Sequence, residues 1–327
     1  LWHVMHSRET PADVLEGLQD SDLVEGQRAG PPDVSGSQVA SADKKGGPSP
    51  QALQAVDRAV VVNSLGMKLA PIAPGQFIMG LPDEGNSWPF PEWDVKPHTV
   101  DITRRFYIGV HEVTQQQFQT VMGSNPSWHA ATGGGAPLVR SLDTARLPVE
   151  NMTWREAAEF CKRLSDRSAE AAAGRSYRLP TEAEWEYVCR SGSSEAHRFI
   201  ADWTGVNTLD ELAGKEKHPT KEPLVPTPVG SYPPNAFGVC DMRGNVFEWT
   251  ADWFDRTYYA HSPPNDPTGP STGFLKVVRG WDWTFIGPQC KDFQFMTPPW
   301  KRNQYIGFRV VCEMSQVAAF SGSRRQP

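Results

Sequence analysis

Proline and glycine interrupt the second half of the chain so often that neither a long helix nor a wide regular sheet can be laid along it. The stretches NTLDELAGKEKHPTKEP (207–223), PVGSYPPNAFG (228–238) and SPPNDPTGPSTG (262–273) each carry several of these breakers. Proline fixes φ and has no N–H to give to a ladder, and glycine loses the most backbone freedom on ordering. Only short runs such as LKVVRG (275–280) and GFRVVCEM (307–314) are left between them as strands. Such a fold needs bulky side chains to fill a core that regular elements cannot line, and the 327 residues include 12 Trp. The expected class is α+β, loop-rich with few regular elements.

The first half is better ordered. MKLAPIAPGQFIMG (67–80) holds two apolar runs broken by Pro-Gly and predicts a hairpin, and HTVDITRRFYIGVHEV (98–113) predicts a second strand pair. Three helix starts follow, each a Thr with Gln or Glu three residues on: Thr114 with Gln117, Thr153 with Glu156, and Thr181 with Glu184. In this arrangement the two side chains cap each other's backbone N–H groups. Val113 is placed to staple onto Phe118, and Gly123 to end the first helix. Ala157, Phe160, Cys161 and Leu164 share one apolar face of the second.

Residues 1–56 hold few large apolar side chains and read as a disordered leader or linker, 317–327 as a flexible tail, and 57–316 as one dense domain. A net charge of −6 with both signs interspersed leaves no electrostatic footprint for nucleic acid, and no apolar run is long enough to span a membrane. The chain starts at Leu1 without a signal-peptide core, so its compartment stays open; a removed signal would make it secreted or periplasmic. The five cysteines form neither CxxC nor zinc spacing.

Several long motifs resemble the sulfatase-modifying factor family, whose founding activity is the formylglycine-generating enzyme. They are NSLGMKLAPIAPGQFIMG, YIGVHEVTQQQFQTVMGSNPS, LPVENMTWREAAEFCKRLS, YRLPTEAEWEYVCR, PVGSYPPNAFGVCDMRGNVFEWTADW and GFRVV, spread over roughly residues 64–314. The resemblance implies a C-type-lectin-like fold of the formylglycine-generating enzyme type. It also implies an oxygen-dependent oxidation of a sulfatase cysteine, with two cysteines five apart holding copper(I). Soft thiolates suit that ion. With Arg279 and Gly280 placed on the family motif, the second cysteine is Cys290 and the first falls on Phe285, which cannot bind a metal. Asp282 replaces a Ser, Phe247 a Trp and Tyr305 an Asn of the family pattern.

These departures imply a divergent member without the copper centre, a possible pseudoenzyme that serves as a binding or structural module. The alternative is a formylglycine-generating-type oxidoreductase with an altered site, for which Cys290, a lone thiol with Lys291 beside it, is the catalytic candidate. Trp281, Asp282, Trp283 and Phe285 would line the groove; they either present aromatic faces to a protein, peptide or glycan ligand or fill the space that small residues leave in relatives. For calcium, the resemblance implies Asp241 and Glu248 with the carbonyls of Gly244 and Val246; the same carboxylates could instead satisfy turn amides, and Asn245 could tie the loop. The family pattern would pair Cys161 near the last strand, where Cys312 lies two residues beyond the expected position, and it puts Phe295 where Cys189 would find its partner.

Overall fold

A computed structural model describes residues 59–80, 96–192, 225–284 and 294–315. The leader, the tail, Phe285 and Cys290 lie outside the described residues.

The three capping boxes all form. Helix α1 (Gln115–Met122) starts at Thr114 and ends at Gly123, whose φ of 81° is left-handed. A short α2 (Ala136–Val139) follows, then α3 (Trp154–Ser165) from Thr153, α4 (Ser168–Ala172), and α5 (Glu182–Cys189) from Thr181. Ala157, Phe160, Cys161 and Leu164 are the buried residues of α3, as their spacing requires. Phe160 stacks on Phe118 of α1 and meets Phe308 edge-on.

The strands exist where the apolar runs place them, but their pairing differs from the expectation. Strands β1 (Val61–Val62), β2 (Lys68–Ile72), β3 (Gly75–Met79), β4 (His98–Ile102) and β5 (Phe106–Gly109) do not form two hairpins. Instead β2 pairs with β5, Leu69 opposite Gly109, while β3 pairs with β4, Phe77 opposite Val100. The cause sits in the Pro-Gly break. Pro74 gives no N–H to a turn, and Gly75 passes so close to Tyr187 of α5 that a Cβ there would lie 2.3 Å from its hydroxyl oxygen. That hydroxyl donates to the Ala73 carbonyl, which turns the chain out of one sheet and into the other.

With β6 (Arg175–Arg178) and β11 (Val311–Met314), the larger sheet runs β1-β2-β5-β11-β6. A second sheet, β10-β7-β8-β9, joins Ile306–Gly307, Phe247–Trp253, Lys276–Arg279 and Phe295–Thr297. A core cluster of β2 to β5, α5 and β11 includes Ile72, Phe77, Ile108, Trp185 and Val311. Three guanidiniums among the described residues, Arg190, Arg279 and Arg309, are as deeply buried as the core aromatics.

Cys161, Cys189, Cys240 and Cys312 are buried free thiols, so the Cys161–Cys312 disulfide implied by the family pattern is not made. A two-residue offset keeps a strand side chain on its face but moves it about 6.6 Å along the strand, and a disulfide tolerates little such displacement. Burial raises the Cys161 thiol pKa and pushes that of Cys312 up to about 11, which keeps both protonated and inert.

Candidate functional site

Strand β8 ends at Arg279, and Gly280, at φ 80°, turns the chain into Trp281–Thr284. Arg279 fixes the start of this segment by donating to Glu182 (3.1 Å) and Glu186 (2.7 Å) of α5. Trp281, Asp282 and Trp283 are 3%, 2% and 2% exposed. Of the four side chains expected to line a groove, these three are buried, and Phe285 lies outside the described residues. Trp281 packs against Phe247 (5.9 Å between ring centroids) and Phe295 (5.0 Å), which also touch each other (4.8 Å). Trp283 lies against Tyr305 at 5.1 Å and meets His129 edge-on at 5.0 Å, while its backbone N–H donates to the Asn245 carbonyl. The Asp282 carboxylate turns back to accept from the Thr284 N–H and hydroxyl.

Sequence reasoning did not single out His129 or Glu150. The Glu150 carboxylate accepts from the His129 backbone N–H at 2.7 Å and lies 3.2 Å from its Nδ1, with both residues buried. No spacing in SNPSWHA or LPVENM announces the pair, because loops bring it together.

Beside this segment lies the Asp241–Glu248 loop. The Arg309 guanidinium forks onto Glu248, with Nε 2.7 Å from Oε2 and Nη2 2.5 Å from Oε1. The Trp185 indole N–H adds a third bond to the same carboxylate at 2.8 Å. Arg309 also donates to the carbonyls of Gly109 and Cys240, so one side chain joins β5, this loop and β7. Asp241, at φ 57°, accepts from the Gly230 N–H. Asn245 ties the loop from both ends of its amide, accepting from Thr227 N–H and donating to Glu112. Glu112, also not singled out from sequence, makes the loop an acidic site: Glu112, Asp241 and Glu248 are buried around one guanidinium. Burial, reinforced by the charge on Asp241, pushes the Glu112 carboxyl well above the usual carboxylate range, and burial raises Asp241 too. Glu112 Oε2 is buried without a hydrogen-bond partner among the described residues.

The sequence profile of the sulfatase-modifying factor enzyme 1-like domain matches residues 63–314. The chain belongs to this family. It is 34% identical over 184 residues to a formylglycine-generating enzyme of Streptomyces coelicolor, a match covering 50% of this chain and 52% of that protein. A serine/threonine-protein kinase pkn1 of Chlamydia pneumoniae is 31% identical over 229 residues, covering 64% of this chain and 33% of the kinase. The chain thus spans about half the length, or less, of these two curated relatives. Among solved structures, PvdO from Pseudomonas aeruginosa superposes with a TM-score of 0.62 at 26% identity, covering 79% of this chain and 98% of that one. The lectin-like α+β class of the family is the fold described above.

Three residues expected from the sequence to differ from the family pattern lie close together. Phe247, Phe295 and Tyr305 all lie against Trp281 or Trp283. The large aromatics exposed among the described residues stand elsewhere: Phe274 and Trp300 are each 54% exposed and meet edge-on at 5.1 Å. Near them Lys276 is clamped between Trp154 and Trp253, its ammonium 4.0 and 3.9 Å from the ring centroids and donating to the Ala251 carbonyl. Burial pulls that ammonium down to about 8.

Proposed function

We propose that this family member is a binding or structural module for a protein, peptide or glycan and lacks copper-dependent formylglycine-generating activity. One observation carries the reading. The residues that replace the family's Trp, Ser and Asn, together with the two Trp of the Arg279–Thr284 segment, are shared between aromatic contacts and a closed Asp282–Thr284 turn. Side chains so committed leave no polar approach for a cysteine substrate at these positions. Phe285 in place of the first copper cysteine is in keeping with this, since one thiolate cannot supply the two soft ligands copper(I) takes. That similar sequences occur in proteins named as a formylglycine-generating enzyme and as a serine/threonine-protein kinase accords with a scaffold put to several uses.

Copper(I) titration of the reduced protein, followed by oxygen uptake with a sulfatase-derived cysteine peptide, tests it. The expected result is no stoichiometric copper and no peptide-dependent oxygen consumption. Turnover, together with rapid alkylation of Cys290 that the peptide blocks, would establish the altered oxidoreductase instead.

Calcium is proposed as a structural ion of the same domain. Among the described residues no three His, Cys, Asp or Glu side chains converge as a metal-binding group; the support for calcium is the surplus negative charge of Glu112, Asp241 and Glu248 around one guanidinium, which a hard divalent cation would balance. Asp241, the carbonyls of Gly244 and Val246, and Glu248, shared with Arg309, would hold it. Without the ion the folded state keeps a carboxyl proton that the unfolded chain releases. The contribution of Glu112 and Asp241 to stability therefore falls as pH climbs above about 4. Calcium should reverse this at pH 7.5, adding about 2.7 kcal/mol at one hundred times its Kd. Thermal unfolding should show the gain shrinking towards pH 5 and vanishing in Asp241→Ala; an unmoved Tm in the parent chain would remove calcium from this loop.

A further inference from the structure

A cavity of about 550 Å³ opens between the start of β2, the first turns of α1, the turn Thr144–Arg146 and Arg167. Lys68, Arg146 and Arg167 line it with His111, and no carboxylate does. Among the described residues none of the three permanent cations makes an ion pair or a side-chain hydrogen bond, and the Nε of Arg167 is buried without a partner. The arginines buried in the core are, by contrast, taken up by carboxylates: Arg279 by two and Arg309 by one. What sets Lys68, Arg146 and Arg167 apart is that they converge on one concave space, in a chain of net charge −6.

The remaining lining mixes the polar Ser64, Thr114, Gln116, Gln117 and Thr120 with the apolar Leu65, Ala145 and Val229. α1 turns its N-terminal end to the cavity through Thr114, Gln116 and Gln117 and carries no acidic residue in that turn, so its dipole adds positive potential. The Gln117 Oε1 accepts from Thr114 N–H, leaving its NH₂ as the free end of the amide. His111 registers the same field. Its imidazole is pushed down to about 4 by burial first, then by Arg309, Lys68 and Arg146, and so it is neutral at physiological pH.

We propose that this cavity binds a small organic polyanion, a phosphate or sulfate ester, whose oxyanion groups are held by Lys68, Arg146 and Arg167. Guanidinium forks match the paired oxygens of such groups, and lysine adds a point charge. The volume lies within the range of about 300–1,000 Å³ usual for small-molecule sites, more than one inorganic ion requires. A macromolecular polyanion would need a basic track across the surface, whereas these residues converge on one hollow. The site stands on elements other than the Arg279–Thr284 segment and is independent of whether that segment catalyses anything.

Calorimetric titration of the full chain at low ionic strength with inorganic phosphate, sulfate and pyrophosphate tests the proposal. Pyrophosphate should bind one to one and more tightly than either single anion; the order of phosphate and sulfate then identifies the ester. Arg146→Glu and Lys68→Gln, both at exposed positions, should each weaken pyrophosphate by about tenfold or more, while Lys162→Gln on α3 should leave it unchanged. Each variant is first matched to the parent in denaturation midpoint. No saturable binding by the parent, equal affinity in Arg146→Glu and Lys68→Gln, or an equal loss in Lys162→Gln would overturn the site.

Discussion

Replacing Arg309 with Met should cost the domain about 3–5 kcal/mol, read as a shift in urea midpoint at constant slope. Arg309 and Glu248 are both 0% exposed, so the substitution leaves a carboxylate in the interior with the Trp185 indole N–H as the remaining donor among those described here. The carbonyls of Gly109 and Cys240 lose a donor as well, and each stranded acceptor adds to the loss. The second substitution Glu248→Gln removes the stranded charge and should recover part of the stability, but not the part owed to those carbonyls. A double variant no more stable than Arg309→Met would mean that the ion pair is not what joins the two sheets here. The exposed Lys162–Asp166 pair, four residues apart on α3, makes the contrast: solvent already screens it, and its removal should leave the midpoint where it was.

Three of the five α-helices among the described residues were legible from the chain because a capping box is written in four consecutive residues; α2 and α4, which have no such box, were not. Thr114, Thr153 and Thr181 start their helices for reasons that need no tertiary partner. Strands β2 to β5, β8 and β11 were legible as segments, β1, β6, β7 and β9 were not, and the pairing of β2 to β5 was not legible. Alternation places Phe77 and Met79 on one face, yet it does not say that Val100 and not Ile72 lies beside them; the Gly75–Tyr187 approach decides that, across more than a hundred residues. The acidic loop was legible in Asp241 and Glu248, which lie in one motif. Glu112 and Arg309 were not, because they reach the loop from other strands. The cationic cavity gives no local signal at all: residues 68, 111, 146 and 167 become neighbours only through the fold. Trp281 and Trp283 posed a harder case, since a tryptophan suits a ligand platform and a core equally well. Burial at 2–3% decides for the core.

That decision can be measured. Trp283→Ala should destabilise the domain by about 3–5 kcal/mol, the range for emptying a buried large aromatic site. Its neighbours His129 and Tyr305 are themselves held, the first by Glu150, and they cannot collapse freely into the void. Trp300→Ala should stay within about 0.5 kcal/mol, because that ring is 54% exposed and loses mainly its contact with Phe274. Iodide should quench Trp300 and spare Trp283, which single-variant difference spectra would separate. If Trp283→Ala proved as mild as Trp300→Ala and its fluorescence as accessible, the Arg279–Thr284 segment would be a surface feature after all. A ligand groove, and with it a site for altered chemistry near Cys290, would regain its footing. The larger loss instead makes the segment an internal wedge, whose two Trp serve the packing of the Arg279–Thr284 turn against Phe247, Phe295 and Tyr305.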